Sequence, residues 1–276
     1  MNNILPTVLT IAGSDSGGGA GIQADLRTFN AFKVYGCAAI TAVTAQNPDE
    51  VRRVDILPAD AVKVQLESVL DMFPVCFAKT GMLADSRIIA CTAEIAAKYR
   101  LRLIVDPVMV STSGARLLEE SAVAAMQELL LTQAEWITPN IPEAELLCNR
   151  KLNNADDTIQ AALQLFEQYQ CNVLLKSGHA ITGSTVTDTV CYQGKIFALS
   201  SPKVEISSNS AHGTGCTLSA AITANLAHGK SWQESLTAAK AFVYGALCER
   251  RQVSSKLQQM YPPQSDYSNM ITVKEL

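Results

Sequence analysis

The chain predicts a doubly wound α/β domain built on a mostly parallel sheet. Short runs that are apolar on both faces alternate with longer amphipathic runs, the pattern of strands covered by helices on both sides. Polar residues gather where several of those apolar runs end, and open α/β sheets bind ligands outside the carboxyl ends of their strands. The 276 residues are 48% hydrophobic and 17% charged, enough for one large core, with no internal repeat and no linker-like shift in composition.

The elements follow in order. "TVLTIAG" reads as the first strand rather than a signal peptide, because no basic region precedes it and no small-residue cleavage site follows. A glycine-rich loop, "AGSDSGGGAGIQAD", then opens a helix that carries Asp25. "CAAITAVTA", "VCFAKTGM", "RLIVDPVMV", "EWITPN" and "NVLLKSG" read as further strands. In "ADAVKVQLESVLDMF", Val62, Leu66, Val69, Leu70 and Phe73 share one helical face. Ile88, Ile89, Thr92, Ile95 and Tyr99 do the same in the next helix, with Asp85 as its N-cap. "LLEESAVAAMQELLL" and "DDTIQAALQLFEQY" supply two more helices, and "VTDTVCYQGKIFAL" a hairpin turning at Gln193-Gly194. Helices over Cys216–Ala227 and Trp232–Arg250 close a single domain spanning residues 1–250. The tail, 251–276, has weak periodicity and two prolines, which leaves its structure open.

The net charge of −4 and the lack of a basic run argue against nucleic acid or an anionic membrane as partner. No apolar run reaches the length of a membrane span. The eight cysteines are scattered, without a CxxC pair, as free thiols are in a reducing compartment; a cytoplasmic setting is expected. Three histidines, each far from a second cysteine, make a structural zinc site a poor fit.

The glycine loop is neither common nucleotide motif. Ile22 stands where GxGxxG needs its last glycine, and no GK[ST] follows; "GHAITGST" has Walker A glycine spacing but Ser184 in place of lysine. The loop is either a tight turn or a place where backbone approaches a ligand closely. Asp106 in "VDPV", Asn140 and Glu143 in "TPNIPEAELL", and Lys176 in "LLKSGH" each lie at the end of an apolar strand. Any one of them could be a cap or a turn residue. Together, carboxylates able to hold Mg²⁺ and a lysine point charge suit a triphosphate.

"SAHGTGCTLSAA" leads into a helix rich in small residues, with Gly213, Thr214 and Gly215 before Cys216. Converging N–H groups and the helix dipole make an anion cradle there. The same field is expected to lower the Cys216 thiol pKa and to let it act as general base while the cradle stabilises a transferring phosphoryl group. The competing readings are a small buried residue at a helix start and a redox thiol.

"TIAGSDSGGGAGIQADLRTF", "AITAVTAQN", "KTGML", "VDPVMV", "ITPNIPEA", "LLKSGH" and "HGTGCTLSAAI" occur in this order. Together they resemble the hydroxymethylpyrimidine and phosphomethylpyrimidine kinases of thiamin biosynthesis, in the ribokinase-like superfamily, from about Leu9 to Ala246. The resemblance implies a ribokinase-like three-layer α/β/α sandwich and ATP- and Mg²⁺-dependent phosphorylation of 4-amino-5-hydroxymethyl-2-methylpyrimidine, then of its monophosphate. It also implies a homodimer. Cys216 would be the base, in the place of an aspartate in most sugar kinases of the superfamily, and Gly213, Thr214 and Gly215 would complete the anion hole with it. Lys176 would meet the ATP phosphates together with Asn140 and Thr214, and Asp106 and Glu143 would organise Mg²⁺. Gly13, Asp25, Gln46, Met82 and Val108 match the pyrimidine-binding positions. Gln46 also makes chemical sense unaided, since one carboxamide pairs with a ring nitrogen and an adjacent amino group.

The chain departs from the family pattern at Gly17 (usually serine), Ser177 (usually glycine) and Ala211 (usually threonine). It also departs in "VEISSNS" and in its C-terminal ending. The competing functions are a pyridoxine or pyridoxal kinase, a pyrimidine-binding protein without chemistry, and a thiol redox protein.

Overall fold

The computed structural model describes residues 4–110, 118–177, 183–205, 212–255 and 257–276. Ala211, most of "VEISSNS" and the start of "GHAITGST" lie outside them. The expected α/β/α sandwich is present. In chain order its elements are β1 (Thr7–Asp15), α1 (Gly21–Ala31), β2 (Tyr35–Gln46), β3 (Val51–Ile56), α2 (Ala59–Leu70), β4 (Val75–Thr80), α3 (Ser86–Tyr99) and β5 (Leu103–Val105). Then come α4 (Glu120–Ala125), β6 (Ala134–Ile137), α5 (Ile141–Cys148), α6 (Ala155–Tyr169), β7 (Asn172–Leu175), β8 (Thr185–Tyr192) and β9 (Lys195–Pro202). The last elements are α7 (Thr214–Ala227), α8 (Trp232–Cys248), β10 (Arg251–Ser254), β11 (Leu257–Gln259) and β12 (Thr272–Glu275).

Ten strands form one sheet in the order β12-β9-β8-β7-β6-β5-β4-β1-β2-β3. The stretch from β7 to β2 is parallel, while β3, β8, β9 and β12 extend it antiparallel at its two ends. Alternation along each central strand divides its side chains between two cores. Leu9, Leu103, Val105, Ile137, Val173 and Leu175 face the α2–α6 side. Val8, Ile104, Trp136 and Leu174 face α1, α7 and α8. Strands buried on both faces therefore read as continuous apolar runs, and that is how the sequence revealed them.

The Gln193-Gly194 turn has positive φ at both residues, 50° and 79°, the twist that a two-residue hairpin favours. The hairpin is anchored to the parallel strands by Trp136, Tyr192, Trp232 and Phe197, whose rings pack in sequence. Asp85 caps α3 as expected, accepting the Ile88 N–H at 2.9 Å. From Thr217 to Leu226, every residue of α7 is buried, because its small side chains let α1 and α8 pack closely around it.

Two segments add to the sequence reading. β3 is exposed along its whole length and alternates too weakly, with Arg52, Arg53 and Asp55, to signal a strand. The C-terminal tail, which the sequence left open, folds back along α8 through Glu249, whose carboxylate accepts the N–H groups of Gln264 and Ser265. It then delivers β12 to the sheet edge against β9. Among the described residues, no helix is long and apolar enough to cross a membrane.

Candidate active site

Six parallel strands end at one edge of the sheet, and the loops leaving them build the site. After β1 the chain turns around its own Asp15. That carboxylate accepts the N–H groups of Gly17 at 2.8 Å, Gly19 at 3.0 Å and Ala20 at 2.8 Å, which closes the glycine loop into a compact cradle. Gly213, at the start of α7, abuts it. Its φ is +85°, and a Cβ there would collide with the Gly19 carbonyl, so only glycine permits both the turn and the approach. The glycine loop and the "HGTGC" segment thus form one surface.

Cys216 lies in the first turn of α7, partly buried. The expected lowering of its pKa is corrected here. Burial pushes the thiol up, and the carboxylates of Asp25 and Asp106 push the same way, against Lys79 and the Gly21 N–H. The helix start taken alone favours thiolate, but in the folded protein desolvation comes first, and Asp25 from α1 and Asp106 from the end of β5 act in the same direction.

Beneath the thiol, Lys79 and Asp25 form a fully buried ion pair, with Nζ 3.1 and 2.9 Å from the two carboxylate oxygens. Thr10 donates a further hydrogen bond to Asp25 at 2.6 Å. Burial opposes charge on Lys79, but Asp25, with Cys216 and Asp106 nearby, outweighs it and raises the ammonium pKa. Asp25, expected among the pyrimidine positions, is thus wholly enclosed and already partnered within the protein.

Across the site, Lys176 Nζ lies 3.0 Å from Asp106 Oδ1. A Cβ built on Gly215 would be 3.5 Å from both Asp106 Oδ2 and Lys176 Nζ, so the first turn of α7 looks directly onto this pair. Burial works against the Lys176 charge, and Asp106 and Glu143 overcome it, raising its pKa. Glu143 is buried at the third position of α5, in a capping box with Asn140. Its oxygens accept the Asn140 N–H at 2.8 Å and the Met109 N–H at 3.0 Å. Burial, opposed by Lys176 and assisted by Asp106, pushes Glu143 up to about 7. The Asn140 side chain is likewise engaged, accepting from Glu143 N–H and donating to the Val110 carbonyl at 3.0 Å.

Two carboxyls near a lysine, one held near neutrality by its surroundings, suit a divalent cation bound through phosphates and water. They do not suit an all-protein cage, and no group of three or more His, Cys, Asp or Glu side chains gathers among the described residues.

At the other end of the site, Gly13 makes room for Met82, whose Cε would lie 2.7 Å from a Cβ at residue 13. Val108 has φ +46°, a strained conformation for a β-branched residue. It directs the next N–H, that of Met109, onto Glu143. Gln46 Nε2 lies 3.1 Å from His212 Nε2, and the same ring nitrogen is 3.3 Å from Asp15 Oδ2.

The sequence had not assigned roles to Asp15, Lys79 or His212. Lys79 carried a signal, being a lysine inside an apolar strand that also ends at the site. Asp15 carried a weaker one, as an acid one residue away from a run of glycines.

A family model described as phosphomethylpyrimidine kinase matches residues 15–261. A hydroxymethylpyrimidine/phosphomethylpyrimidine kinase of Haemophilus influenzae is 44% identical over 251 residues, 90% of this chain and 92% of that protein. Among solved structures, the pyridoxal kinase of Staphylococcus aureus in complex with ADP superposes with a TM-score of 0.87 and 35% identity, covering 99% of this chain and 100% of that one. The phosphomethylpyrimidine kinase of Clostridium difficile gives a TM-score of 0.77 and 39% identity, over 87% of this chain and 99% of its own.

Proposed function

The chain belongs to the phosphomethylpyrimidine kinase family, and from that premise we propose a reaction and a role for each group at the site. The enzyme transfers the γ-phosphoryl group of ATP to the hydroxymethyl oxygen of 4-amino-5-hydroxymethyl-2-methylpyrimidine, and then a second one to the monophosphate. The observation that carries this reading is the meeting of Cys216, the Lys176–Asp106 pair and the glycine-lined start of α7 at one sheet edge.

In the reaction the substrate hydroxyl oxygen attacks the γ-phosphorus, the bond to ADP breaks, and the hydroxyl proton passes to the Cys216 thiolate, which becomes the thiol. The N–H groups around Gly213, Thr214 and Gly215 receive the charge of the transferring group, and Lys176, with Asn140 and Thr214, faces the nucleotide phosphates. Asp106 and Glu143 would hold Mg²⁺, whose chemistry is to neutralise phosphate charge. Binding of ADP by the Staphylococcus relative supports use of the nucleotide. Gly13, Met82, Val108 and Gln46 face the pyrimidine, with Asp25 supporting the site from below. All eight cysteines are free thiols, in keeping with a reducing, cytoplasmic setting.

The test is ADP release with ATP and Mg²⁺ on hydroxymethylpyrimidine, its monophosphate, pyridoxine and ribose. Turnover on both pyrimidines, well above the others, is expected, and silence on all four overturns the reading. A second reading, phosphorylation of pyridoxal, is favoured by the superposition of a pyridoxal kinase over 99% of the chain; preference for pyridoxine in the same assay would select it. Gln46→Ala is expected to raise the pyrimidine KM about tenfold or more by removing a paired hydrogen bond, with the ATP KM nearly unchanged. Equal rises in both would contradict its assignment.

We further propose a homodimer through the β3 end of the sheet, where Val51, Val54 and Ile56 are exposed on a strand that pairs with β2 on one side and, among the described residues, with no strand on the other. Light scattering should give twice the 29.6 kDa chain mass, and Val54→Asp with Ile56→Asp should halve it. A monomeric wild type would end the proposal.

A further inference from the structure

Outside the site lies a second buried ion pair with a separate connection to it. Lys240, on α8, places Nζ 2.7 Å from Asp188 Oδ2 on β8, with the two side chains 8% and 7% exposed. The other oxygen, Asp188 Oδ1, accepts the Ser177 N–H at 3.0 Å and the Ser177 hydroxyl at 3.3 Å. Ser177 directly follows Lys176.

The backbone here has just left the sheet. β7 ends at Leu175, which pairs with Thr189 on β8. The Lys176 N–H turns to the Pro139 carbonyl at 2.8 Å, and Lys176 bridges to Asn140 on the β6 side. On the β8 side the ladder has stopped, and the Ser177 N–H is met by a carboxylate instead of a backbone carbonyl. Residues 176 and 177 are thereby clamped from both neighbouring strands.

We propose that Asp188 is a positioning residue for the nucleotide lysine. It fixes Ser177, and so the backbone from which Lys176 reaches towards the phosphates, while Lys240 supplies the counter-charge that lets a carboxylate reside there. A buried pair of this kind is a poor source of stability, since an apolar pair of similar volume often folds equally well. An apolar pair has no acceptor for the Ser177 N–H, and that acceptor is what the ion pair contributes. The serine that departs from the family pattern adds a second bond to the same oxygen.

This rests on Lys176 meeting the nucleotide, as proposed above, and the test separates the two readings. Binding of AMP-PNP with Mg²⁺ is measured by calorimetry, alongside KM and kcat for both substrates and the melting temperature. Asp188→Leu with Lys240→Met is expected to melt near the wild type, to bind AMP-PNP about tenfold more weakly with a matching rise in ATP KM, and to leave the pyrimidine KM in place. Asp188→Asn with Lys240→Met, which restores an oxygen for the Ser177 N–H, should recover most of that affinity.

Wild-type nucleotide affinity in the folded Leu/Met variant overturns the proposal. So does an equal loss for both substrates, or a failure of the Asn/Met variant to recover. If the Leu/Met variant does not fold, Asp188→Val with Lys240→Met, a smaller apolar pair that leaves no unpaired charge, carries the same expectations. A wild type that binds AMP-PNP but phosphorylates none of the alcohols ends the pyrimidine-kinase reading and leaves the role of Asp188 to be decided by the binding data.

Discussion

Replacing Cys216 with serine lowers kcat by about 10²–10⁴-fold, the usual contribution of a positioned general base, while both KM values change little. The alternatives of a small packing residue or a redox thiol predict otherwise, since serine packs nearly as well as cysteine and phosphoryl transfer would then continue. The pH profile sharpens the test. Burial, with Asp25 and Asp106 behind it, moves the thiol above its ordinary value, so the base is mostly protonated near neutrality in the free enzyme. Wild-type kcat/KM for the pyrimidine is therefore expected to climb from neutral into alkaline pH. That limb should vanish in the serine variant, whose hydroxyl does not titrate in this range. Wild-type turnover in Cys216→Ser, or an unchanged alkaline limb, would remove cysteine from the mechanism.

The second large effect is on stability. Lys79→Met leaves Asp25 enclosed without its cation, and breaking one half of a buried pair costs about 3–5 kcal/mol. For a chain of this size that corresponds to a fall in melting temperature of roughly 10 °C. Asp25→Asn with Lys79→Met should recover most of it, because no unpaired charge remains and Thr10 keeps a partner. The sign with pH follows from the raised lysine pKa. For the lysine, the stabilisation is in place below the unfolded value and is lost as pH rises through the higher folded one. Burial raises the Asp25 carboxyl, so that on the acid side the pair weakens as Asp25 takes up a proton. The difference between wild type and the single variant should therefore hold from neutral pH into the mildly alkaline range. A single variant that melts with the wild type would show that Asp25 takes up a proton without consequence.

Much of the fold was legible because its signals are local. A strand covered on both faces reads as a mostly apolar run, and a helix on a sheet must carry an apolar stripe, so β1, β4 and α3 announce themselves. β3 did not, since an exposed edge strand needs no such pattern. The candidate residues Asp106, Asn140, Glu143, Lys176 and Cys216 were visible for a related reason: each lies within a few residues of a strand or helix end. Their partners were not visible. Asp15 and His212 are separated by 197 residues, Lys79 and Asp25 by 54, and Ser177 reaches Lys240 only through Asp188.

What the sequence determined by itself was the class of fold, the edge of the sheet where chemistry gathers, and the residue types assembled there. These follow from hydrophobic periodicity and from polar residues at strand ends, properties that each short segment carries alone. What only the tertiary structure decided was the electrostatic state of those residues. A thiol at a helix start is favoured as thiolate when that helix is considered in isolation. In the folded protein it sits in a desolvated recess with Asp25, Lys79 and Asp106 around it, and their sum reverses the sign. Charge acts through space and burial is collective, so a pKa belongs to the assembled site and cannot be read from the segment that bears the group.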